Sequence, residues 1–324
     1  MSLPAIPEPA QQHIHLPARR KWPWARILRR APIVLLLAGG LYYGGWGALS
    51  HRIDDDLAFT PEEPGGSHAA AMTAALIDRE VNRHRWTPND PAIAPTAFLD
   101  NTPNYQIGLQ RAAGRFTFEL LDQIARTRGS SRTDPDVERA AGYLQFPPDI
   151  WVFNPEKSLL PAIPSEDQYR AAHRSLTRYT ERLARGEAIF ERRADALATT
   201  LTRISDDLGS QTARLDAIRL QGGTWIFSGR ADDIFYQNKG TLYAYRMILG
   251  ALGTDFEAMI RERGLTALWA QALDSLERAS QLHPIVVLNA PSDTSIFANH
   301  LMLQGFYMKR AILQLEEVVS ALAV

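Results

Sequence analysis

The residues best suited to acid–base chemistry are two adjacent aspartates, Asp232 and Asp233, at the start of a predicted helix. A buried carboxyl with a raised pKa can act as a general acid or base. The free N–H groups of a first helical turn also stabilise an ionised carboxylate, so simple capping is the competing interpretation. Adjacent residues on a helix do not face one another, so catalysis needs partners from other helices. Asp195 and His300 are the candidates for that role, although Asp195 also fits a solvated helix face and His300 a structural histidine.

Other common reaction centres are missing from the sequence. The chain has no Cys, which excludes thiolate zinc sites and cysteine nucleophiles. Its eight histidines form no HExxH pattern, and no GxSxG, phosphate-binding glycine loop or dinucleotide fingerprint is present. We therefore expect neither a metal site nor a cofactor.

Charge is distributed unevenly along the 324 residues, although the net charge is only -1. Residues 1–30 contain six bases and one acid, which leaves the remainder mildly acidic. An acidic body without a basic tract gives no basis for nucleic-acid binding.

An uncharged run over residues 31–49 has the properties of a membrane anchor. As a helix it would extend about 28 Å, close to the thickness of a bilayer's hydrocarbon core. Arg29 and Arg30 precede the run, and three acids, residues 54–56, follow it. Because positive charge marks the cytoplasmic side, we expect a single-pass inner-membrane protein with a cytoplasmic N-terminus and a periplasmic body.

Tryptophans and glycines in and beside this run indicate its depth in the membrane and its contacts there. Trp24 and Trp46 have the amphipathic character that favours headgroup depth. Gly40 and Gly44 form a GxxxG pair that would allow a homodimer through close helix contact, although five glycines make such a pair frequent by chance. A cleaved signal peptide ending near residues 48–50 is the alternative to an anchor, but the long basic region and the bulky aromatics favour the anchor.

The sequence divides into four parts: a cytoplasmic basic segment at 1–30, a transmembrane anchor at 31–50, a stem at 51–66 and a helical domain at 67–324. Helical periodicity dominates the last part, with one short β-like run at residues 285–288. The fold class is therefore all-α, a single transmembrane helix followed by an elongated bundle of about seven helices with Pro-rich loops.

One apolar stripe recurs every seven residues between residues 165 and 208 and predicts a single long helix ended by Gly209. Its members are Tyr169, Leu176, Leu183, Phe190, Leu197 and Ile204.

An aromatic cluster near residue 230 has two interpretations. Trp225, Phe227, Phe235 and Tyr236 lie around the start of one helix. Aromatic groups at a helix start normally pack into the core, whereas a gap lined by them would bind a lipid or another hydrophobic ligand.

Three stretches resemble a known family: RADALATTL (193–201), ADDIFYQNKGTLYAYRMIL (231–249) and NHLMLQGFYMKRA (299–311). Together they resemble the bacterial domain-of-unknown-function 2333 family, and the likeness covers most of the chain. The resemblance implies an uncharacterised, membrane-anchored protein of Gram-negative bacteria. It implies no catalytic residue.

A predicted anchor and a long helical body without a catalytic motif favour a non-catalytic role. We expect an inner-membrane-anchored periplasmic helical protein that contacts the bilayer through residues 31–49 and binds or braces another membrane or periplasmic protein. The alternatives are an envelope hydrolase or transferase that uses acids near Asp232, and a lipid-binding protein.

Overall fold

The computed structural model describes residues 24–47, 52–62, 66–91, 93–94, 96, 99–127, 133–153, 160–221, 229–284 and 300–323. Helices account for 76 % of these residues. The described residues contain no β-strand, and the β-like run at 285–288 lies outside them. The predicted all-α bundle is confirmed.

The helices are α1 Trp24–Gly40, α2 His68–Asp78, α3 Asn101–Thr127, α4 Pro135–Leu144, α5 Ser165–Ala184, α6 Ala194–Gln221, α7 Gly229–Asp255, α8 Glu257–Glu262, α9 Thr266–Ser280 and α10 His300–Leu322. Two π-helical turns, Leu41–Trp46 and Arg79–Arg83, directly follow α1 and α2.

The N-terminal helix α1 exposes large apolar side chains, among them Ile33, Leu35, Leu36 and Leu37. The π-helical turn that follows it adds exposed Leu41. Among the described residues, no helix is both long enough and apolar enough to span a membrane.

The predicted long helix over residues 165–208 is wrong, because two helices occupy that stretch. α5 ends at Ala184, and Gly186 follows with a φ of 73°. The Glu187 N–H donates to the Arg182 carbonyl at 2.8 Å and the Gly186 N–H to the Leu183 carbonyl at 3.0 Å, which is a glycine-terminated helix end. The seven-residue pattern continues by coincidence through the connecting segment, where Phe190 still packs into the core.

The two helices pack on different neighbours. α5 lies against α2 and α4, whereas α6 lies mainly against α10. The predicted stop at Gly209 is also wrong, because Gly209 lies inside α6 and the helix continues to Gln221. The stripe is therefore buried, but against two separate surfaces rather than one.

The centre of the bundle is the crossing of α3 and α7, which contact each other more extensively than any other described pair of helices. Gly108 and Gly240 lie at this crossing. One large core surrounds the crossing, and a smaller one, in which Trp86 meets Tyr169 edge to face, lies among α2, α4 and α5. The crossing positions the polar groups of α3 and α7 that are described next.

Candidate functional site

Three acids that follow the apolar run are held by the bundle, although they fall within the predicted stem. Arg79 Nη1 lies 3.5 Å from Asp54 Oδ1, and the Tyr105 hydroxyl donates to the Asp54 carbonyl at 2.7 Å. The Tyr243 hydroxyl donates to the Asp56 carbonyl at 2.6 Å. We call residues 54–56 the acidic segment, and the bundle side chains that hold it the clasp.

Arg79 is one half of the clasp, and its side chain is 2 % exposed. Its guanidinium carbon lies between the rings of Phe59 and Tyr243, 4.9 and 5.0 Å from their centroids. The Glu80 carboxylate is 2.9 Å away, and the Tyr243 hydroxyl accepts from Arg79 Nη1 at 2.8 Å. Burial alone would lower the pKa of Arg79, but the Glu80 carboxylate and the neighbouring oxygens raise it, so the group stays charged.

Glu80 completes this buried ion pair from the π-helical turn after α2. Gln106 Nε2 donates to Glu80 Oε2 at 3.1 Å, and His84 Nδ1 lies 3.6 Å from the same oxygen. Burial favours the neutral acid, but the bond to His84 and the charge of Arg79 outweigh burial and lower the pKa of Glu80. Both members of the pair are therefore ionised.

Lys239 is the other half of the clasp and is 1 % exposed. Its Nζ donates to Asp55 Oδ2 at 2.6 Å, to the Leu282 carbonyl at 3.1 Å and to the Ser280 carbonyl. Gln281 Nε2 donates to the Asp55 carbonyl at 2.8 Å. Burial lowers the pKa of Lys239, and the Asp55 carboxylate opposes that shift. Lys239 therefore joins the acidic segment to the end of α9.

The predicted aspartate pair lies in a separate acidic cluster. Asn104 Nδ2 donates to Asp233 Oδ1 at 2.8 Å. Burial, the charge of Asp100 and a hydrogen bond with Asp100 raise the pKa of Asp233. Burial, followed by repulsion from Asp100 and Asp233, raises the pKa of Asp232 to about 6. Sequence reasoning missed Asp100, because a single acid in a loop carries no pattern.

Asp195, one of the other two acid–base candidates, lies far from the acidic cluster. Asp195 is exposed and pairs with Arg193 at 2.8 Å. It lies beside the end of α3, where Gln123 bonds to the Ala196 carbonyl, whereas Asp233 contacts Asn104 near the start of α3. Nineteen helical residues separate these two α3 positions, or about 28 Å, so Asp195 does not join the acidic cluster.

His300 begins α10 and is partly buried, and burial lowers its pKa. One turn later, Gln304 Nε2 donates to the Phe235 carbonyl at 3.1 Å. The first turns of α10 therefore lie along the first turns of α7.

The predicted anchor residues are described in part. The side chains of Trp24 and Arg29 lie outside the described residues. Arg30, Gly40 and Trp46 are exposed. A Cβ atom on Gly40 or on Gly44 would meet nothing within 4 Å.

Half of the predicted aromatic cluster belongs to the core. Phe235 is fully buried and Tyr236 is 8 % exposed, and their rings meet edge to face at 5.2 Å. Trp225 and Phe227 lie outside the described residues. The described aromatics therefore act as core residues.

A family model described as "Uncharacterized protein conserved in bacteria (DUF2333)" matches residues 62–221 and 221–322. The chain belongs to the DUF2333 family. Its match confirms the resemblance inferred from the sequence. Comparison with curated proteins and with solved structures finds no match. The residues of the clasp lie inside the part that matches DUF2333, and the acidic segment lies just before it.

One residue of the sequence, Lys239, indicated the clasp, although it belongs to no motif. Lys239 is one of only four lysines in this DUF2333 chain, and the helix positions three and four residues to either side of it are Phe235, Tyr236, Leu242 and Tyr243. A lysine on such an apolar helix face needs a buried partner. Its partner Asp55 is 184 residues away, so spacing alone could not identify the pair.

Proposed function

We propose that this DUF2333 protein is a non-catalytic brace of the bacterial inner membrane. Residues 31–49 anchor it, the N-terminus is cytoplasmic and the bundle is periplasmic. There the bundle binds or braces another envelope or membrane-complex protein. The uncharged run, the bases before it and the acids after it support this topology. The exposed apolar side chains of α1 also support it, because lipid would cover them.

The clasp is the observation that carries the proposal of a brace. Only four residues lie between Leu49 and Asp54, which are therefore at most about 17 Å apart when the chain is extended. The bundle then holds Asp54 and Asp55 through two buried cations, Arg79 and Lys239. A bundle fixed so close to its anchor stays at a set height and orientation above the bilayer. Such a body suits bracing better than capture of a partner on a long tether.

The topology can be tested with single cysteines, because the chain has none of its own. Ser2→Cys and Ser320→Cys place one thiol near each end of the chain. A membrane-impermeant maleimide added to cells with a permeabilised outer membrane should label Ser320→Cys and not Ser2→Cys. After lysis both should be labelled. Labelling of Ser2→Cys in unlysed cells would contradict the proposed orientation.

The bracing role can be tested by loosening the link to the anchor. A flexible Gly-Ser linker of about ten residues inserted after Ser50 leaves the clasp intact but frees the bundle from its fixed height. The same linker inserted after Glu187, in the segment between α5 and α6, is the control. Tagged full-length protein is purified from cross-linked native membranes. A brace should lose most of its stoichiometric partner with the first insertion only, whereas equal yields would contradict the proposal.

The acidic cluster supports a second candidate, a hydrolase or transferase. Asp232 has a pKa raised to about 6, which suits a general acid or base near neutral pH. Asp232→Asn combined with Asp233→Asn removes both groups with little change of volume. An enzyme of this type would fail to rescue a deletion strain after that change, while Asp195→Asn would still rescue. Full rescue by the double variant would exclude this candidate.

A further inference from the structure

A cleft of about 590 Å³ opens between α3, α6, α7 and the loop after α4. It lies away from the clasp and shares no lining residue with the acidic cluster. Its volume falls within the range of about 300–1,000 Å³ that is typical of small-molecule sites. The cleft is therefore large enough for a ligand of appreciable size.

Three arginines line this cleft. Arg111 and Arg115 lie one turn apart on α3, and Arg214 faces them from α6. Within the part of the chain that the structure describes, neither Arg111 nor Arg214 has a carboxylate within ion-pair distance. Burial, followed by repulsion from Arg214, lowers the pKa of Arg111. The cleft thus concentrates positive charge that the described residues leave largely uncompensated.

The single carboxylate among the lining residues is already engaged. Asp207 Oδ2 accepts from the Tyr245 hydroxyl at 2.7 Å and from Gln211 Nε2 at 3.0 Å. Arg115 Nη2 is 3.8 Å from Asp207 Oδ1, at the outer limit of an ion pair. Three guanidinium groups and one carboxylate leave an excess of two positive charges.

We propose that this cleft binds the phosphomonoester group of a small ligand through Arg111, Arg115 and Arg214. A phosphomonoester is a dianion near neutral pH and matches the excess charge. Guanidinium groups bind phosphate oxygens through paired hydrogen bonds, which a lysine cannot reproduce. None of the three arginines belongs to the anchor, the clasp or the acidic cluster.

The rest of the cleft indicates that the ligand is larger than phosphate itself. Phe118 is 49 % exposed at the wall of the cleft, and Phe146 lies in the loop across from it. An apolar wall beside the arginines suits an organic phosphate, whose source is either a soluble metabolite or a lipid headgroup.

The test uses purified full-length protein in a non-ionic detergent and isothermal titration calorimetry. The soluble probe is glycerol phosphate, the lipid probe is dihexanoyl phosphatidic acid, and dihexanoyl phosphatidylcholine is the control without a phosphomonoester. The variant is Arg111→Gln combined with Arg214→Gln. The matched control is Arg261→Gln combined with Arg278→Gln, which removes the same charge from exposed arginines of α8 and α9.

We expect the cleft variant to weaken phosphomonoester binding at least about tenfold, because it removes two charge-assisted contacts. The control should change it less than about twofold. Binding of both phosphomonoesters identifies a soluble-type ligand, and binding of the lipid probe alone identifies a headgroup. No binding at millimolar concentration, equal binding by the cleft variant, or equal binding of phosphatidylcholine would each overturn the proposal.

Thermal unfolding shows whether each variant is folded. Removing Arg111 relieves repulsion from Arg214, so Arg111→Gln alone should leave the Tm unchanged or slightly raised in the absence of ligand. Phosphomonoester should raise the Tm of the wild type and not that of the variant. A large loss of Tm in Arg111→Gln would show that these arginines serve the fold and would also overturn the proposal.

Discussion

Gly108 and Gly240 face each other where α3 crosses α7, and neither position has room for a Cβ atom. A Cβ on Gly108 would overlap the carbonyl oxygen of Gln237, and one on Gly240 would overlap the carbonyl oxygen of Tyr105. The close approach sets the two helices at the distance where the rings of Tyr105 and Tyr243 lie 6.1 Å apart. Since both hydroxyls hold the acidic segment, the glycine pair positions the clasp.

Gly240→Ala should therefore strongly destabilise the protein. The clash is with backbone, which cannot move aside without separating the helices. Overpacking of this kind costs about 1–3 kcal/mol or more, and we expect the upper end. The free energy of unfolding, measured by circular dichroism in urea, should fall by about 3 kcal/mol.

Gly209→Ala is the matched control, because Gly209 also lies inside a long helix but has nothing within 4 Å of its Cβ position. Alanine is a better helix former than glycine by about 1 kcal/mol, so this change should stabilise. If the two variants unfolded at the same urea concentration, the close contact at the crossing would be refuted.

The sequence predicted the helical class, because helical periodicity is a local pattern. Ser67 precedes α2 as an N-cap, and Gly264 follows α8 with a φ of 66°, as such residues do at helix ends. The break at Gly186 was not predicted, because the apolar spacing continues through the segment where Phe190 packs. Periodicity reports burial, and here one buried side chain of a connecting segment, Phe190, falls at the spacing of a helix.

The polar site was less predictable than the fold. Asp232 and Asp233 stood out as neighbours, and the structure adds Asp100 beside them. Asp55 was interpreted as a flanking charge, because its partner Lys239 lies 184 residues further along the chain. Ion pairs between residues that are distant in the sequence produce no periodic pattern, so only the tertiary structure reveals them.

Removal of the Asp55 carboxylate should destabilise the bundle. Lys239 is buried, and without Asp55 its charge keeps only carbonyl oxygens as partners. Breaking a buried pair from one side costs about 3–5 kcal/mol, and deprotonation of Lys239 limits the loss. We expect Asp55→Ala to lower the free energy of unfolding by about 3 kcal/mol in urea titrations at neutral pH.

A double-mutant cycle isolates this interaction. Lys239→Met combined with Asp55→Ala removes both charges, so its cost should be smaller than the sum of the single costs by about 1–3 kcal/mol. The exposed pair Lys309–Asp216, 2.9 Å apart, is the control and should show a coupling below about 1 kcal/mol. Equal coupling energies at the two sites would show that burial of Lys239 adds nothing.

Asp255, the last residue of α7, caps the start of α2 from another part of the chain. Its carboxylate accepts from Ser67 Oγ at 2.8 Å and from the His68 and Ala69 N–H groups at 2.9 Å each. Asp255→Ala leaves these donors without an acceptor and should cost about 2–3 kcal/mol of unfolding free energy. Asp255→Asn, which retains one acceptor oxygen, should cost about half as much.

The control for this cap is Asp195→Ala, which removes an exposed acid from the first turn of α6. It should change the free energy of unfolding by less than about 1 kcal/mol in the same urea titration. If Asp255→Ala lost no more unfolding free energy than Asp195→Ala, Asp255 would not act as a cap of α2.

Asp232 should make stability depend on pH between about 4 and about 7. Its pKa is about 6 in the folded protein and near 3.8 in the unfolded chain. In that window the folded state binds more protons than the unfolded state. The free energy of unfolding therefore falls as the pH rises through the pKa of the folded protein. Asp232→Asn cannot ionise, so we expect it to gain stability relative to the wild type as pH rises from about 4 to about 7.

Urea midpoints of the two proteins at several pH values in this window measure the effect, because their difference cancels the titrating groups that do not interact with Asp232. Asp195→Asn, which changes an exposed acid on another helix, is the control variant. A flat difference for Asp232→Asn would mean that Asp232 ionises as in water. The argument for an enzyme that uses Asp232 as its general acid or base would then lose its main support.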